Sequence, residues 1–236
     1  MADEPTVVLV HGAWHGPWAW AEVQERLAGE GLDVVTVDLP SIGRDTGALG
    51  DLYDDAAAVR AALDAIDGPA VVVAHSYGGA PVTEAAAGAG NVAHIVYLTA
   101  FMLDEGESLL GLVGGAEPDW WITSADGRTT LPAGPETVFY NDCPPEVAEA
   151  AAAQLAPQRK LTVEQPVREV AWRTIPSTYV VCERDNAIPV FAQDAMAQRA
   201  GAVERMDAGH SPFLSRPDEL VVLLRDVVRA AQAPPA

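Results

Sequence analysis

Ala70-Val71-Val72-Val73-Ala74-His75-Ser76-Tyr77-Gly78-Gly79-Ala80 is the stretch that decides the fold of this chain. Residues 70–74 form a short, largely β-branched apolar run, and residues 82–87 suit a helix. Between them lies a small-X-Ser-X-Gly turn. Strand, sharp turn and helix form the context in which such a serine is a nucleophile elbow. The turn is strained and crowded, so small residues flank the serine. Ala74 stands where the motif usually has glycine, which keeps the small size but gives up freedom at positive φ. Ser76 is thereby expected at the carboxyl end of a strand and the N-terminus of a helix, whose positive dipole end favours a developing anion. The plainer alternative is an ordinary strand-to-helix turn that contains a serine, and the rest of the chain must decide.

Outward from this turn, similar apolar runs recur at residues 7–10, 34–37, 95–98, 178–182 and 202–206. They are continuous rather than alternating, as in parallel strands buried on both faces. Between the second and third runs Leu52, Ala56, Val59, Leu63 and Ile66 recur at helical spacing, and Gly68-Pro69 stops that helix. Residues 193–200 and 217–231 also suit helices. Alternating strand and helix predicts an α/β fold with a doubly wound, mostly parallel sheet. Residues 104–172 break the pattern, with many Gly and Pro, aromatics that include Trp120, Trp121, Phe139 and Tyr140, and one clear helix at 145–155. This stretch is expected to be a helical lid inserted before the penultimate strand, on a core made of residues 1–103 and 173–236. A satellite packing layer without ligand contact is the alternative.

Bulk properties narrow the partners. A net charge of −20 on 236 residues repels phosphate backbones and anionic lipid, so neither nucleic acid nor a membrane surface is expected as a partner. No run approaches the ~20 apolar residues of a membrane span. The acidic start, Met1-Ala2-Asp3-Glu4-Pro5, does not read as a signal peptide. Two cysteines, Cys143 and Cys182, give no disulfide framework and suit a reducing cytoplasm. They lie in no metal-ligand spacing, and no metal or organic cofactor is expected. The partner expected is a small apolar molecule, with a homodimer as the one self-association considered.

A serine hydroxyl needs a base, and the base needs an acid to fix its tautomer. His210, in Gly209-His210-Ser211-Pro212-Phe213, follows the last strand-like run. Asp185, with Asn186-Ala187-Ile188-Pro189 after it, follows the run before that. The chain order Ser76, Asp185, His210 fits; Asp104 and Glu183 remain alternative acids. His75 and His94 read as structural. Acyl transfer also needs donors for an oxyanion. His11-Gly12-Ala13-Trp14-His15-Gly16 follows the first strand directly, so the N–H of Ala13 is expected to join that of Tyr77, while Gly12 lets the backbone approach closely.

Taken together, Val10-His11-Gly12-Ala13-Trp14-His15-Gly16 with Trp18, Ala74-His75-Ser76-Tyr77-Gly78-Gly79, Asp185 with Ile188-Pro189, Gly209 to Phe213 and Phe139-Tyr140-Asn141-Asp142-Cys143 resemble the α/β-hydrolases, in the branch of bacterial pyrethroid-hydrolase-like esterases, plant methylesterases and hydroxynitrile lyases. The resemblance spans residues 7–229. It implies a serine ester hydrolase, a lyase or cyclase, or a ligand-binding protein. The lyases place Thr after the first-loop histidine and Lys after the catalytic histidine. This chain has Gly12 and Ser211 there, with Gly12 expected to leave room for oxyanion and water, so hydrolysis of a small to medium apolar ester is favoured. Gly12, Trp14, Trp120, Trp121 and Phe139 are the candidate substrate contacts.

Overall fold

The computed structural model of the chain describes residues 4–232, so residues 1–3 of the acidic start lie outside the described residues. Within them nine strands follow in order: β1 (Thr6–Val10), β2 (Val34–Val37), β3 (Ala70–His75), β4 (Val92–Leu98), β5 (Trp121–Thr123), β6 (Thr129–Pro132), β7 (Gln158–Arg159), β8 (Ser177–Cys182) and β9 (Ala202–Met206). Six of them make one sheet in the order β2-β1-β3-β4-β8-β9, and every pairing in it is parallel. The order reverses between β1 and β3, where Val10 pairs with Ala74. In an open α/β sheet the carboxyl side of such a switch point is where ligands bind.

The sheet is covered on both sides, and alternate residues of one strand enter different clusters. Val72 and Ala74 of β3 pack with Leu52, Ala56, Val59 and Leu63 of the helix Leu52–Asp64. Val71 and Val73 pack with Leu220, Val221, Leu224 and Val228 of the helix Pro217–Gln232. Each buried aliphatic side chain of this kind contributes about 1.5–3 kcal/mol. The helix Leu52–Asp64 starts in a reciprocal cap: Asp51 accepts from the N–H groups of Tyr53 and Asp54, and Asp54 accepts from that of Asp51. Such a cap is worth about 1 kcal/mol.

Two expectations need correction. The strands β2 and β9 are not buried on both faces; Ala202, Val203, Glu204 and Arg205 are all exposed, because these are the edges of the sheet and each has one neighbour. The segment between β4 and β8 is also not simply helical. It contains the antiparallel sheet β5-β6-β7 and several one-turn helices beside the helix Pro145–Ala152. Its hairpin turns through Asp126-Gly127, where Gly127 has φ 73°. An Asp-Gly pair between Trp-Ile-Thr and Thr-Thr-Leu is a hairpin signal, and the wealth of Gly and Pro obscured it. The segment shares the hydrophobic cluster on the Val72 face of the sheet, through Leu109, Phe139, Tyr140, Ala148 and Val163.

Candidate active site

Strand β3 ends at His75, and the chain then turns sharply into the helix Gly79–Ala85. The positive φ falls on Ser76 itself (51°), while Ala74 stays in the strand, so alanine there costs no backbone strain. The glycines after it are required by close approach: a Cβ on Gly78 would lie 2.5 Å from the His11 carbonyl oxygen, and one on Gly79 would lie 2.5 Å from that of Phe101. Ser76 Oγ is 3.0 Å from His210 Nε2, and His210 Nδ1 is 2.7 Å from Asp185 Oδ2. A carboxylate accepts, so Nδ1 carries the proton and the Nε2 lone pair faces the hydroxyl. Asp185 is itself held: Thr99 Oγ donates to Oδ2 at 2.5 Å, and the N–H groups of Ala187 and Ile188 donate to Oδ1 at 2.7 and 2.8 Å. Ser76, Thr99 and Trp14 are the described non-glycine residues with positive φ, and all three border this site. Strain of this kind, about 1–3 kcal/mol each, persists only where surrounding contacts over-determine the backbone.

The first loop is fixed through its carbonyls. Those of Gly12 and Ala13 accept from His11 Nδ1 (3.0 Å) and His15 Nδ1 (2.7 Å), and that of Trp14 accepts from the N–H of Ala156 (2.9 Å). Burial pushes the His15 imidazole down to about 3, so it is neutral, and its Nε2 accepts from Tyr140 Oη at 2.9 Å. In a trans peptide the N–H points opposite to the preceding carbonyl. The Gly12 carbonyl is turned to His11, so the N–H of Ala13 faces the other way. The same holds at the elbow, where the Ser76 carbonyl accepts from Phe101 N–H at 3.0 Å and the Tyr77 N–H is turned from it. Both Ala13 and Tyr77 line one small chamber with Ser76 and His210.

That chamber has a volume of about 50 Å³, and its wall is largely aromatic: Trp14, Trp120, Trp121 and Phe139 all line it. Trp14 anchors the wall, its indole N–H donating to the Thr130 carbonyl at 2.9 Å and its ring stacked on Phe139 at 5.7 Å. A larger apolar groove of about 710 Å³ adjoins the chamber and shares Phe101, Val113, Pro118, Trp120, Ala187 and Ile188 with it. Gly12 does not line the chamber. A Cβ there would sit 2.7 Å from His75 Nδ1 and 2.9 Å from Ser76 Cβ, so its smallness lets the loop press on the elbow and opens no room for oxyanion or water. The alternative acids lie elsewhere: Asp104 pairs with Arg173, and Glu183 lies 3.8 Å from Arg205. His75 donates from Nε2 to the His210 carbonyl (2.8 Å), with burial holding it well below the usual imidazole range. His94 meets Thr178 on the neighbouring strand.

A family model described as alpha/beta hydrolase matches residues 7–223. The chain belongs to the alpha/beta hydrolase family. Among relatives, this alpha/beta hydrolase is 30% identical to the alpha/beta hydrolase nvfD of Aspergillus novofumigatus, over 97% of this chain and 98% of the other. It is 29% identical to methylesterase 7 of Arabidopsis thaliana, covering 95% of this chain and 96% of that one. Among solved structures it superposes on a pyrethroid hydrolase from Sphingobium faniae JZ-2 with a TM-score of 0.83 at 24% identity, covering 96% of this chain and 98% of that one. No helix among the described residues is long and apolar enough to cross a membrane.

Sequence reasoning about this hydrolase overlooked Thr99, Phe101, Leu109 and Val163, which touch Asp185 or the chamber, and took Ile188 only as a motif residue beside Asp185. Thr99 sits directly after β4, so its position at a strand's carboxyl end was an available signal. The others are apolar residues in a core-like context, and nothing in their local sequence separates lining from packing.

Proposed function

We propose that this alpha/beta hydrolase is a serine carboxylic ester hydrolase that works through an acyl-enzyme. Ser76 Oγ attacks the ester carbonyl while His210 Nε2 takes its proton, and Asp185 holds the imidazolium that forms. The N–H groups of Ala13 and Tyr77 receive the oxyanion of the tetrahedral intermediate. His210 then protonates the departing alcohol, leaving the acyl group on Ser76. Water attacks that acyl carbonyl, giving its proton to His210, and the acid leaves as Ser76 regains its hydrogen. The observation that carries the reading is the continuous Oγ–Nε2, Nδ1–Oδ2 chain at 3.0 and 2.7 Å, opening into a chamber that Ala13 and Tyr77 line, where the carbonyls before their N–H groups are turned to His11 and Phe101.

The substrate is an apolar ester with one short and one long arm. Pockets for drug-sized ligands hold about 300–1,000 Å³. The chamber of about 50 Å³ suits only a short group, whereas the groove of about 710 Å³ has room for the larger part. The similarity to a methylesterase across nearly the whole chain supports esters as the substrate class. A hydroxynitrile lyase of this fold would need a cation near His210 to help cyanide leave; the next residue is the buried Ser211, and the chamber's lining includes no Lys or Arg.

Steady-state hydrolysis of p-nitrophenyl acetate through octanoate by the native chain and by Ser76→Ala tests the proposal. A burst of p-nitrophenol followed by slower turnover, both absent in the variant, is the expected result. Equal rates in the two proteins, or no turnover by the folded native chain, would overturn it.

A further inference from the structure

A buried carboxyl that takes no part in the chemistry above lies behind the elbow. Asp55, on the helix Leu52–Asp64, is fully buried, and among the described residues no Lys or Arg pairs with it. Its oxygens accept three hydrogen bonds: from Tyr77 Oη at 2.6 Å, from Ser41 Oγ at 2.6 Å and from Ser41 N–H at 2.8 Å. Tyr77 is also fully buried, and it is the residue after Ser76 and lines the chamber. Ser41 in turn belongs to the seam with the inserted segment: its carbonyl accepts from Arg159 N–H at 2.9 Å, and its neighbour Ile42 bridges to Gln158. A buried carboxylate without a cation is expensive, and apolar packing at such a site would cost less. The two bonds from Ser41 fix the carboxyl, the one from Tyr77 Oη holds the ring at its far end, and Phe101 N–H holds the Ser76 carbonyl at the near end. The Tyr77 peptide is thus fixed between two anchors.

We propose that Asp55 is a positioning residue for the oxyanion pocket, aiming the Tyr77 N–H through the Tyr77 hydroxyl and tying it by way of Ser41 to the inserted segment. The inference rests on the serine mechanism proposed above. A donor must lie within a few tenths of an ångström of the developing oxyanion to be effective, so a loosened Tyr77 lowers the rate of the chemical step and leaves ground-state binding nearly unchanged.

The test uses a small alkyl fluorophosphonate, which reports the nucleophile and oxyanion pocket whatever the natural ester is. Ser76 Oγ bonds to phosphorus as the P–F bond breaks, the serine proton passes to His210, fluoride leaves and the phosphoryl oxygen occupies the oxyanion position. Asp55→Asn and Tyr77→Phe are each expected to slow the limiting phosphonylation rate about tenfold with little change in the half-saturating concentration. The double variant should be no slower than either single one: an Asn that keeps its Oδ1 on the Ser41 N–H turns its NH2 toward the Tyr77 hydroxyl and breaks the bond that Tyr77→Phe removes. Ser41→Ala, which removes one of the two bonds from Ser41 to Asp55 and keeps the bond from Tyr77, should slow phosphonylation less than Asp55→Asn does. Native limiting rates in folded Asp55→Asn or Tyr77→Phe would overturn the proposal, as would additive losses in the double variant. If Asp55→Asn fails to fold, Tyr77→Phe carries the test alone. A folded native chain that is not labelled at Ser76 would instead remove the serine mechanism, and this inference with it.

Discussion

The carboxyl ends of the strands and the inserted segment enclose the same cavity, but they are built differently. Ser76, Asp185 and His210 follow β3, β8 and β9, are buried, and are bound to one another or to main-chain groups. The inserted segment divides further. Its later part is tied down: Trp14 to Thr130, Tyr140 to His15, Asp142 to the N–H of Gly209, Asn141 to the Arg184 carbonyl and Gln165 to Asp51. Its earlier part, around Leu112 to Gly115, leaves Leu112 and Val113 exposed beside two glycines at φ 91° and 80°. Phe191, 78% exposed, lines the same groove. Bond-making requires groups held by several anchors. A surface that receives an apolar chain needs area and little else, so exposed side chains suffice there.

The largest effects should come from the strand ends. Ser76→Ala is expected to lower kcat by about 10⁵–10⁶, and Asp185→Asn by about 10⁴, with thermal unfolding of the Ser76 variant unchanged. Stopped-flow and steady-state assays of both variants check this, and a loss below tenfold in either would remove the distinction between the two regions. At the boundary, Trp120 lines both chamber and groove. Trp120→Ala should merge them and shift kcat/KM about tenfold toward longer acyl chains, read from the acetate-to-octanoate series.

A smaller effect concerns stability. Burial, opposed by the bonds from Ser41 and Tyr77 and by nearby His11, pushes the Asp55 carboxyl from 3.8 up to about 6. The folded state therefore binds this proton more tightly than the unfolded chain. Its contribution falls by about 2–3 kcal/mol as pH rises through 4 to 6, because the unfolded chain releases the proton first. Urea midpoints at pH 4.5 and 7.5 should show this drop in the native chain and its absence in Asp55→Asn, when the two are compared as a difference. The least effect is expected at the groove. Phe191→Ser should raise KM for the octanoate about threefold and leave kcat, and all parameters for the acetate, as they are.

Most of the strand ends could be read from the sequence because the signals are local. A β-branched run followed by small residues defines the elbow, and the loops after the runs at 178–182 and 202–206 hold Asp185 and His210 in the required chain order. The inserted segment was less legible: its hairpin rests on three-residue strands whose partners lie across the segment, as where Thr130 pairs with Gln158. Asp55 was hidden for another reason. It sits in a helix whose apolar spacing at Leu52, Ala56, Val59 and Leu63 is complete without it, and an acidic residue there reads as a solvated face. Gly12 was recognised as a close-approach glycine, yet the partner it admits, the His75–Ser76 turn, comes from a neighbouring strand sixty-odd residues on and is visible only in three dimensions.

The central claim is that Ser76 becomes acylated. Acid-quenched mixing of the native chain with p-nitrophenyl acetate, followed by peptide mass analysis, tests it directly. The account predicts an acetyl mass on the peptide containing Ser76, at a stoichiometry approaching one per chain and lost in Ser76→Ala. Turnover of the ester with no adduct at Ser76 in samples quenched during the steady state, or an adduct on another residue that persists in the variant, would contradict it.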